Sequence, residues 1–166
     1  MLEVTKRITI PNDKLLPLMV EKLDGCIGKK AILPLRGRSM RPFLEDDRDM
    51  GVFVSMKGEE IHVGDPVLAE VSEGFFVMHR IVSLEGDDVT LLGDGNLTCE
   101  YCRRQDIRAK VIGFYRKGRK TMDAIDGWKW RTYSWFWMRL RPIRRYLLFL
   151  FHPHIPARFK TKKEDR

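Results

Sequence analysis

The sequence lacks any apolar run long enough to cross a bilayer as a helix. The longest candidate, residues 146–151, is far shorter than the roughly 20 apolar residues that a transmembrane helix needs. Residues 1–30 also lack the apolar core of a signal peptide, because acids and bases interrupt them throughout. We therefore expect a protein of the cytoplasm or of the membrane periphery.

Cysteine is also scarce, and three cysteines among 166 residues do not make a disulfide framework. Cys99 and Cys102 form a C-x-x-C pair, whereas Cys26 stands alone. A zinc site would need two more ligands at metal-like spacing, and His62 and His79 lie too far upstream to be local partners. We expect reduced thiols, with a redox pair as the alternative, and neither a metal nor a cofactor. Reduced thiols favour the cytoplasmic side of a membrane.

Acidic residues are few in the last third of the chain. Residues 1–115 contain 16 Lys/Arg and 19 Asp/Glu, a net charge of −3, whereas residues 116–166 contain 15 and 4, a net charge of +11. All four tryptophans lie in this second part. The formal charge of +8 therefore conceals a mildly acidic body and a basic, aromatic tail.

The pattern of apolar and turn residues predicts a mainly β protein with helical segments at both ends. Residues 12–24 have the apolar stripe of a short helix, which Asn12 or Asp13 can cap. The short apolar runs at 31–35, 50–54, 66–71, 75–82, 88–92 and 107–115 alternate with Gly/Asp turns. Such spacing is typical of a folded-over sheet or a barrel. The pattern at residues 127–151 predicts one or two amphipathic helices, and we expect the second to begin at Pro142.

The most informative segment is G-R-S-M-R-P at residues 37–42, which follows a predicted strand. A serine in a glycine turn can be held exposed, with neighbouring backbone N–H groups free to face an oxyanion. Serine alone is a weak nucleophile and needs a base. Taken by itself, the segment is explained more simply as a turn that contains a serine.

Three further segments follow in order: I-H-V-G-D-P-V-L at 61–68, V-M-H-R-I-V at 77–82 and L-L-G-D-G-N at 91–96. Together with residues 37–42, they resemble the serine peptidases that include type I signal peptidases and SOS-type repressors. The resemblance covers about residues 30–116. It implies the folded-over β core of such a peptidase at residues 29–118. That core would lie between an N-terminal helical segment, 1–28, and a Trp/Arg-rich helical tail, 119–166.

The resemblance also implies the roles of three side chains. Ser39 matches the nucleophile and His79 matches the general base. Most bacterial signal peptidases and the repressors have lysine at the second position, whereas the endoplasmic-reticulum and archaeal type has histidine followed by arginine, as here. Asp94 matches an acid of that branch that assists the histidine.

Elementary chemistry agrees with these roles. A histidine titrates near neutral pH, so His79 can take the proton of a serine hydroxyl. Asp94 would fix the tautomer of His79 and stabilise its imidazolium form. The alternative for His79 is a strand histidine that makes only a local hydrogen bond.

Two features depart from the bacterial signal peptidases. Many of those enzymes have a serine whose hydroxyl helps to bind the oxyanion, but this chain has Gly37 there, as the repressors do. The backbone of the turn formed by Gly37, Arg38, Ser39 and Met40 would then have to supply the N–H donors. Residues 45–49, E-D-D-R-D, stand where the family has a Gly-Asp turn. Asp49 is a candidate for the displaced acid, and a solvated loop is the alternative.

Type I signal peptidases usually have a membrane-spanning anchor, and the sequence offers no candidate for one. This is a third departure, and we expect the basic tail to be a candidate replacement. Tryptophan suits headgroup depth and arginine meets anionic lipid, so such a helix would lie on the membrane surface. The contact candidates are Trp128, Trp130, Trp135, Trp137, Arg139, Arg141, Arg144 and Arg145. A helix packed on the β body and a nucleic-acid patch are the alternatives. Residues 147–151 are too apolar for a phosphate-binding face, so no nucleic acid partner is expected.

The leading hypothesis is a serine endopeptidase that cleaves a precursor peptide or preprotein. The resemblance implies a small side chain just before the cut. A repressor-like protein that cleaves itself would need a reader domain and a cleavable Ala-Gly bond, and residues 1–30 contain no Ala-Gly pair. The other hypothesis is a non-catalytic module that binds a peptide or partner in the same cleft. The presence of Ser39, His79 and Asp94 argues against that module.

Overall fold

An antiparallel sheet of eight strands forms the body of the protein, which a computed structural model describes at residues 12–24 and 29–151. The strands are β1 (Lys30–Pro34), β2 (Met50–Ser55), β3 (Pro66–Ser72), β4 (Phe75–Glu85), β5 (Asp88–Leu92), β6 (Glu100–Arg103), β7 (Ile107–Tyr115) and β8 (Asp123–Ala124). Their order is β1-β2-β7-β3-β4-β5-β6, and β8 pairs with β7. The mainly β class predicted from the sequence is confirmed.

All of the predicted strands are present, and their bounds differ from the prediction by at most three residues. β6 and β8 were not predicted. β8 has only two residues and β6 only four, so neither is long enough to carry a clear alternation of apolar and polar side chains. Both strands exist because a longer neighbour, β5 or β7, supplies hydrogen-bond partners.

The sheet is bent but not closed. β1 and β6 do not pair within the part of the chain that the structure describes, so the barrel alternative is wrong. Register shifts between neighbouring strands, such as those at Val52/Phe53 and Ile81/Ser83, bend the sheet locally. The helix α1 (Asn12–Asp24) packs on β1, β2, β4 and β7 and buries Met19, Val20 and Leu23 there. The helix therefore covers apolar surface that closure of the sheet would otherwise have to bury.

The C-terminal tail contains two helices, the first of which packs on the sheet. They are α2 (Trp128–Arg139) and α3 (Arg144–Phe151), separated by a 3-10 turn at Arg141–Ile143 that contains Pro142. The inner side of α2 buries Trp130, Ser134 and Trp137. None of the helices in the described residues combines the length and the apolar character that crossing a membrane requires.

Candidate active site

Ser39 lies in the loop that joins β1 to β2, and hydrogen bonds at its base hold this loop. The Leu35 N–H donates to the Asp49 carbonyl oxygen at 2.9 Å, and the Asp47 N–H donates to the Leu35 carbonyl oxygen at 2.9 Å. The Asp49 carboxylate is fully buried and accepts hydrogen bonds from the Glu45 N–H and the Arg48 side chain. Asp49 is therefore an anchor of the serine loop rather than part of a solvated acidic cluster.

The turn before Ser39 depends on glycine. Gly37 has φ +96°, a conformation that side chains rarely adopt, and its N–H donates to Asp46 Oδ1 at 2.9 Å. Ser39 itself is half-buried, whereas Met40 is buried. Within the described residues, the N–H groups of Ser39 and Met40 donate to no other protein group. Two adjacent donors are thus left free beside the hydroxyl, as binding of an oxyanion requires.

His79 is a buried residue of β4, where it pairs with Val67 of β3. Its Nδ1 is hydrogen-bonded to Glu100 Oε2 at the start of β6. A methyl group built on Gly93 would lie 3.0 Å from His79 Nε2 and 2.6 Å from the Ser39 carbonyl oxygen. The imidazole of His79 therefore has Nδ1 hydrogen-bonded to the Glu100 carboxylate. Its Nε2 lies near Gly93, on the side of the Ser39 loop.

This orientation is the one that a general base needs. Nδ1 donates its proton to the Glu100 carboxylate, so the lone pair of the neutral ring is on Nε2. The structure contains no hydrogen bond between the Ser39 hydroxyl and His79, and in free enzymes this contact commonly tightens only when the substrate binds. Burial lowers the pKa of His79, although the Glu100 carboxylate opposes that effect. The ring is consequently neutral, and able to accept a proton, at neutral pH.

The G-D-G turn that follows β5 packs directly on the Ser39 loop. The Gly95 N–H donates to the Ser39 carbonyl oxygen at 2.7 Å. A methyl group on Gly95 would lie only 2.7 Å from the Arg38 carbonyl oxygen, and one on Gly93 would meet Ser39 and His79. Glycine is required at both positions because the two backbones approach each other this closely.

Asp94 does not contact His79 as the sequence led us to expect. Its fully buried carboxylate accepts two hydrogen bonds from Arg80, from Nε at 2.9 Å and from Nη2 at 2.6 Å, and a third from the Tyr133 hydroxyl at 3.0 Å. The paired guanidinium geometry commits both oxygens to Arg80. The acid that orients His79 is Glu100, and Asp94 instead neutralises the arginine next to that histidine.

The inner side of the tail encloses this ion pair. Trp137 Nε1 donates to the Asp94 carbonyl oxygen at 3.1 Å, Ser134 accepts from Arg80, and Arg144 Nη1 donates to the Gly93 carbonyl oxygen at 3.5 Å. The Arg80 guanidinium lies 4.4 Å from the centre of the Trp130 ring. These contacts attach the tail to the turn that supports Ser39 and His79.

Three of the membrane-contact candidates are consequently buried in the body. Trp130, Trp137 and Arg144 are only 3%, 5% and 2% exposed, so the prediction that they contact a membrane is wrong. Packing against the Arg80–Asp94 pair explains their burial. The remaining candidates are exposed: Trp128, Trp135, Arg139, Arg141 and Arg145.

The cysteine pair lies beside the histidine partner. Cys99 and Cys102 are free thiols on either side of Glu100. Burial raises the pKa of Cys102 to about 11, so its thiol is protonated at neutral pH and is a poor nucleophile. Cys26 lies outside the described residues, as do His152 and His154.

A small apolar hollow opens beside Ser39. Its volume is about 80 Å³. The walls include Leu33 of β1, Phe76 and Met78 of β4, Met40 of the serine turn and Leu16 of α1. A hollow of this size suits a small side chain next to the serine better than an aromatic one.

Glu100 is the site residue that the sequence did not reveal. Its position is decided by the pairing of β5 with β6, in which Leu91 lies opposite Glu100, and of β4 with β5, in which Ile81 lies opposite Leu91. The available signal was an acid a few residues after G-D-G-N, at the start of a short segment that includes Tyr101. That signal is weak, because Asp94, within the motif itself, is the more obvious candidate.

No family model matches this chain, and no curated protein matches it significantly.

Proposed function

We propose that this protein is a serine endopeptidase of the signal-peptidase type, with Ser39 as nucleophile, His79 as general base and Glu100 as the residue that positions His79. One observation supports this proposal most strongly. A buried histidine has its Nδ1 on a carboxylate and its Nε2 directed toward a serine turn with free backbone donors. These groups are the nucleophile, base, orienting acid and oxyanion donors that an acyl-transfer mechanism would use.

The reaction follows from the position of each group. Ser39 Oγ attacks the carbonyl carbon of the scissile peptide bond, and its proton passes to His79 Nε2. The N–H groups of Ser39 and Met40 stabilise the oxyanion, and His79 returns the proton to the leaving amine as the C–N bond breaks. Water then attacks the acyl ester, giving one proton to His79, and Ser39 recovers it as the product acid leaves.

The surroundings of Ser39 favour a peptide in extended conformation. Among the described residues, β1 is an edge strand that leads into the serine loop, and Ile32 on it is exposed. An extended peptide can add to such an edge by main-chain hydrogen bonds. The 80 Å³ hollow would then take the side chain before the cut, which supports a small residue such as alanine at that position.

Active-site labelling tests the proposal without knowledge of the substrate. Folded protein is treated with a serine-acylating probe that carries an alanine-like acyl group, and the intact mass is recorded. We expect one adduct on the wild-type protein, none on Ser39→Ala, and strongly slowed labelling of His79→Ala. Another serine on the protein surface, such as Ser72, provides the matched Ser→Ala control and should leave labelling unchanged.

The same experiment separates a peptidase from a binding module. Wild-type protein that is folded but stays unlabelled by acylating probes of several sizes would contradict the peptidase and favour a module that binds a peptide in the cleft. Labelling that persists in Ser39→Ala would also contradict it, since the reactive group would then be elsewhere.

A further inference from the structure

We propose that the outward side of α2 and α3 is a docking surface for an anionic membrane. This outer face consists of exposed aromatic and apolar side chains together with exposed arginines. The aromatic and apolar members are Trp128, Trp135, Phe136, Ile143, Tyr146 and Phe149. The inference does not depend on the chemistry of Ser39.

The two helices expose more large aromatic rings than an ordinary surface does. Trp128 is 75% exposed, Trp135 is 53% exposed and Phe149 is 68% exposed. Trp128, Trp135 and Arg139 share one side of α2, opposite the buried Trp130 and Trp137, since they are spaced by whole helical turns. A concentration of apolar side chains on one side of a helical pair marks an interaction surface.

The positive charge of the outer face indicates an anionic partner. Residues 128–151 contain six Lys/Arg and no Asp/Glu. Within the described residues, Arg139, Arg141 and Arg145 are exposed and have no carboxylate within salt-bridge distance. The Arg139 guanidinium lies 4.3 Å from the centre of the Trp135 ring, and that of Arg145 lies 5.6 Å from the Tyr146 ring. Each of these pairs places an aromatic ring beside a cation, an arrangement that suits a ring at headgroup depth and a guanidinium on lipid phosphate.

Other occupants fit this face less well. A second copy of the chain would bring the same positive charges against one another, which costs free energy. A nucleic acid would match the arginines, but it would gain little from Ile143, which can neither stack on a base nor form a hydrogen bond. A bilayer surface accommodates all of the apolar side chains of the outer face, because an amphipathic helix buries its apolar side at the boundary between headgroups and acyl chains.

Co-sedimentation with vesicles tests the proposal. We expect the full-length protein to bind vesicles of phosphatidylcholine with phosphatidylglycerol, to bind phosphatidylcholine alone much more weakly, and to be released by salt. Replacing Arg139, Arg141 and Arg145 with glutamine should weaken binding about fivefold for each arginine, or on the order of a hundredfold in the triple variant. Trp135→Ser combined with Phe149→Ser should also lose binding. All of these positions are exposed, so the thermal unfolding midpoint should stay unchanged.

A double variant at two exposed positions outside the outer face is the control for the specificity of membrane binding. Phe75→Ser with Lys57→Gln removes one exposed aromatic ring and one exposed cation outside the outer face, and should bind as the wild type does. Ser39→Ala should bind normally, so a failed peptidase proposal would not affect this result. The proposal is overturned if the wild type ignores anionic vesicles, if the control pair loses binding equally, or if a single-stranded oligonucleotide binds more tightly than the vesicles do.

Discussion

Glu100 holds His79 from a strand that is not its neighbour. His79 belongs to β4 and Glu100 to β6, and β5 lies between these strands in the sheet. The side chains therefore meet across β5, and their contact fixes Nδ1 as the donor of the imidazole. Nε2 then faces the Ser39 loop. A residue larger than Gly93 would place its side chain between the imidazole and that loop.

Serine reactivity should depend on pH through His79. Burial lowers the pKa of this histidine below its usual value of about 6.5, with Glu100 opposing the shift. The labelling rate of Ser39 should be constant at neutral pH and should fall only as the pH drops through that lowered pKa. A rate profile with the probe, from pH 4 to pH 8 or so, checks this. A midpoint above the usual histidine value would contradict it.

The same shift makes a prediction for stability. The unfolded chain binds the His79 proton more readily than the folded protein does, because the folded-state pKa is the lower one. The contribution of His79 to the free energy of unfolding is therefore complete above about pH 6.5 and is lost as the pH falls through the folded-state pKa. Denaturant unfolding of the wild type and of His79→Gln across this range should diverge in that window. Parallel curves would show that His79 does not titrate as described.

Glu100→Gln should impair reactivity with little effect on folding. The amide can no longer hold His79 in the right tautomer as a carboxylate does, so the labelling rate should fall by about 10²–10⁴-fold. Loss of the negative charge should also lower the His79 pKa further, because Glu100 raises it. The acidic limb of the rate profile should then move to lower pH. Glu73→Gln, at an exposed acid of the β3–β4 turn, is the control and should change neither quantity.

Asp94→Asn should act mainly on stability. The substitution leaves the buried Arg80 guanidinium without its counter-charge, which should cost about 3–5 kcal/mol of unfolding free energy. Tyr133→Phe removes only one hydrogen bond to the same carboxylate and should cost about 1–3 kcal/mol. Urea denaturation measures both values. If Asp94→Asn kept full stability and still abolished labelling, Asp94 rather than Glu100 would be the residue that assists His79.

Gly93→Ala should obstruct the site directly. Its methyl group would meet the Ser39 carbonyl oxygen at 2.6 Å and His79 Nε2 at 3.0 Å, so the serine loop and the imidazole must separate. We expect labelling to be lost in the folded fraction of this variant. Gly118→Ala is the matched control, since φ +80° strains the new side chain there but nothing lies within 4 Å of it. That control should lose some stability, about 1–2 kcal/mol, and keep its reactivity. Equal labelling of the two variants would contradict the close approach at Gly93.

Local pattern was sufficient to predict most of the sheet and two members of the site. The strands with clear apolar runs appear where the sequence predicts them, because each of these strands has five or more residues and its apolar run ends at turn residues. Ser39 and His79 were identified by the resemblance of short segments, and the structure brings both of them close to Gly93. The short strands β6 and β8 have too few residues for such a pattern and form only on their neighbours.

The remaining assignments depend on contacts between distant parts of the chain. Asp94 and Glu100 are both acids near the same motif, and strand register alone decides that Glu100 reaches His79 while Asp94 pairs with Arg80. Composition likewise marked the whole tail as basic and aromatic. Packing on the buried ion pair then decided that Trp130 and Trp137 turn inward while Trp128 and Trp135 face outward. The sequence by itself determines the residue types and local periodicity. Only the tertiary structure determines which charges neutralise one another, because burial makes an unpaired charge too costly.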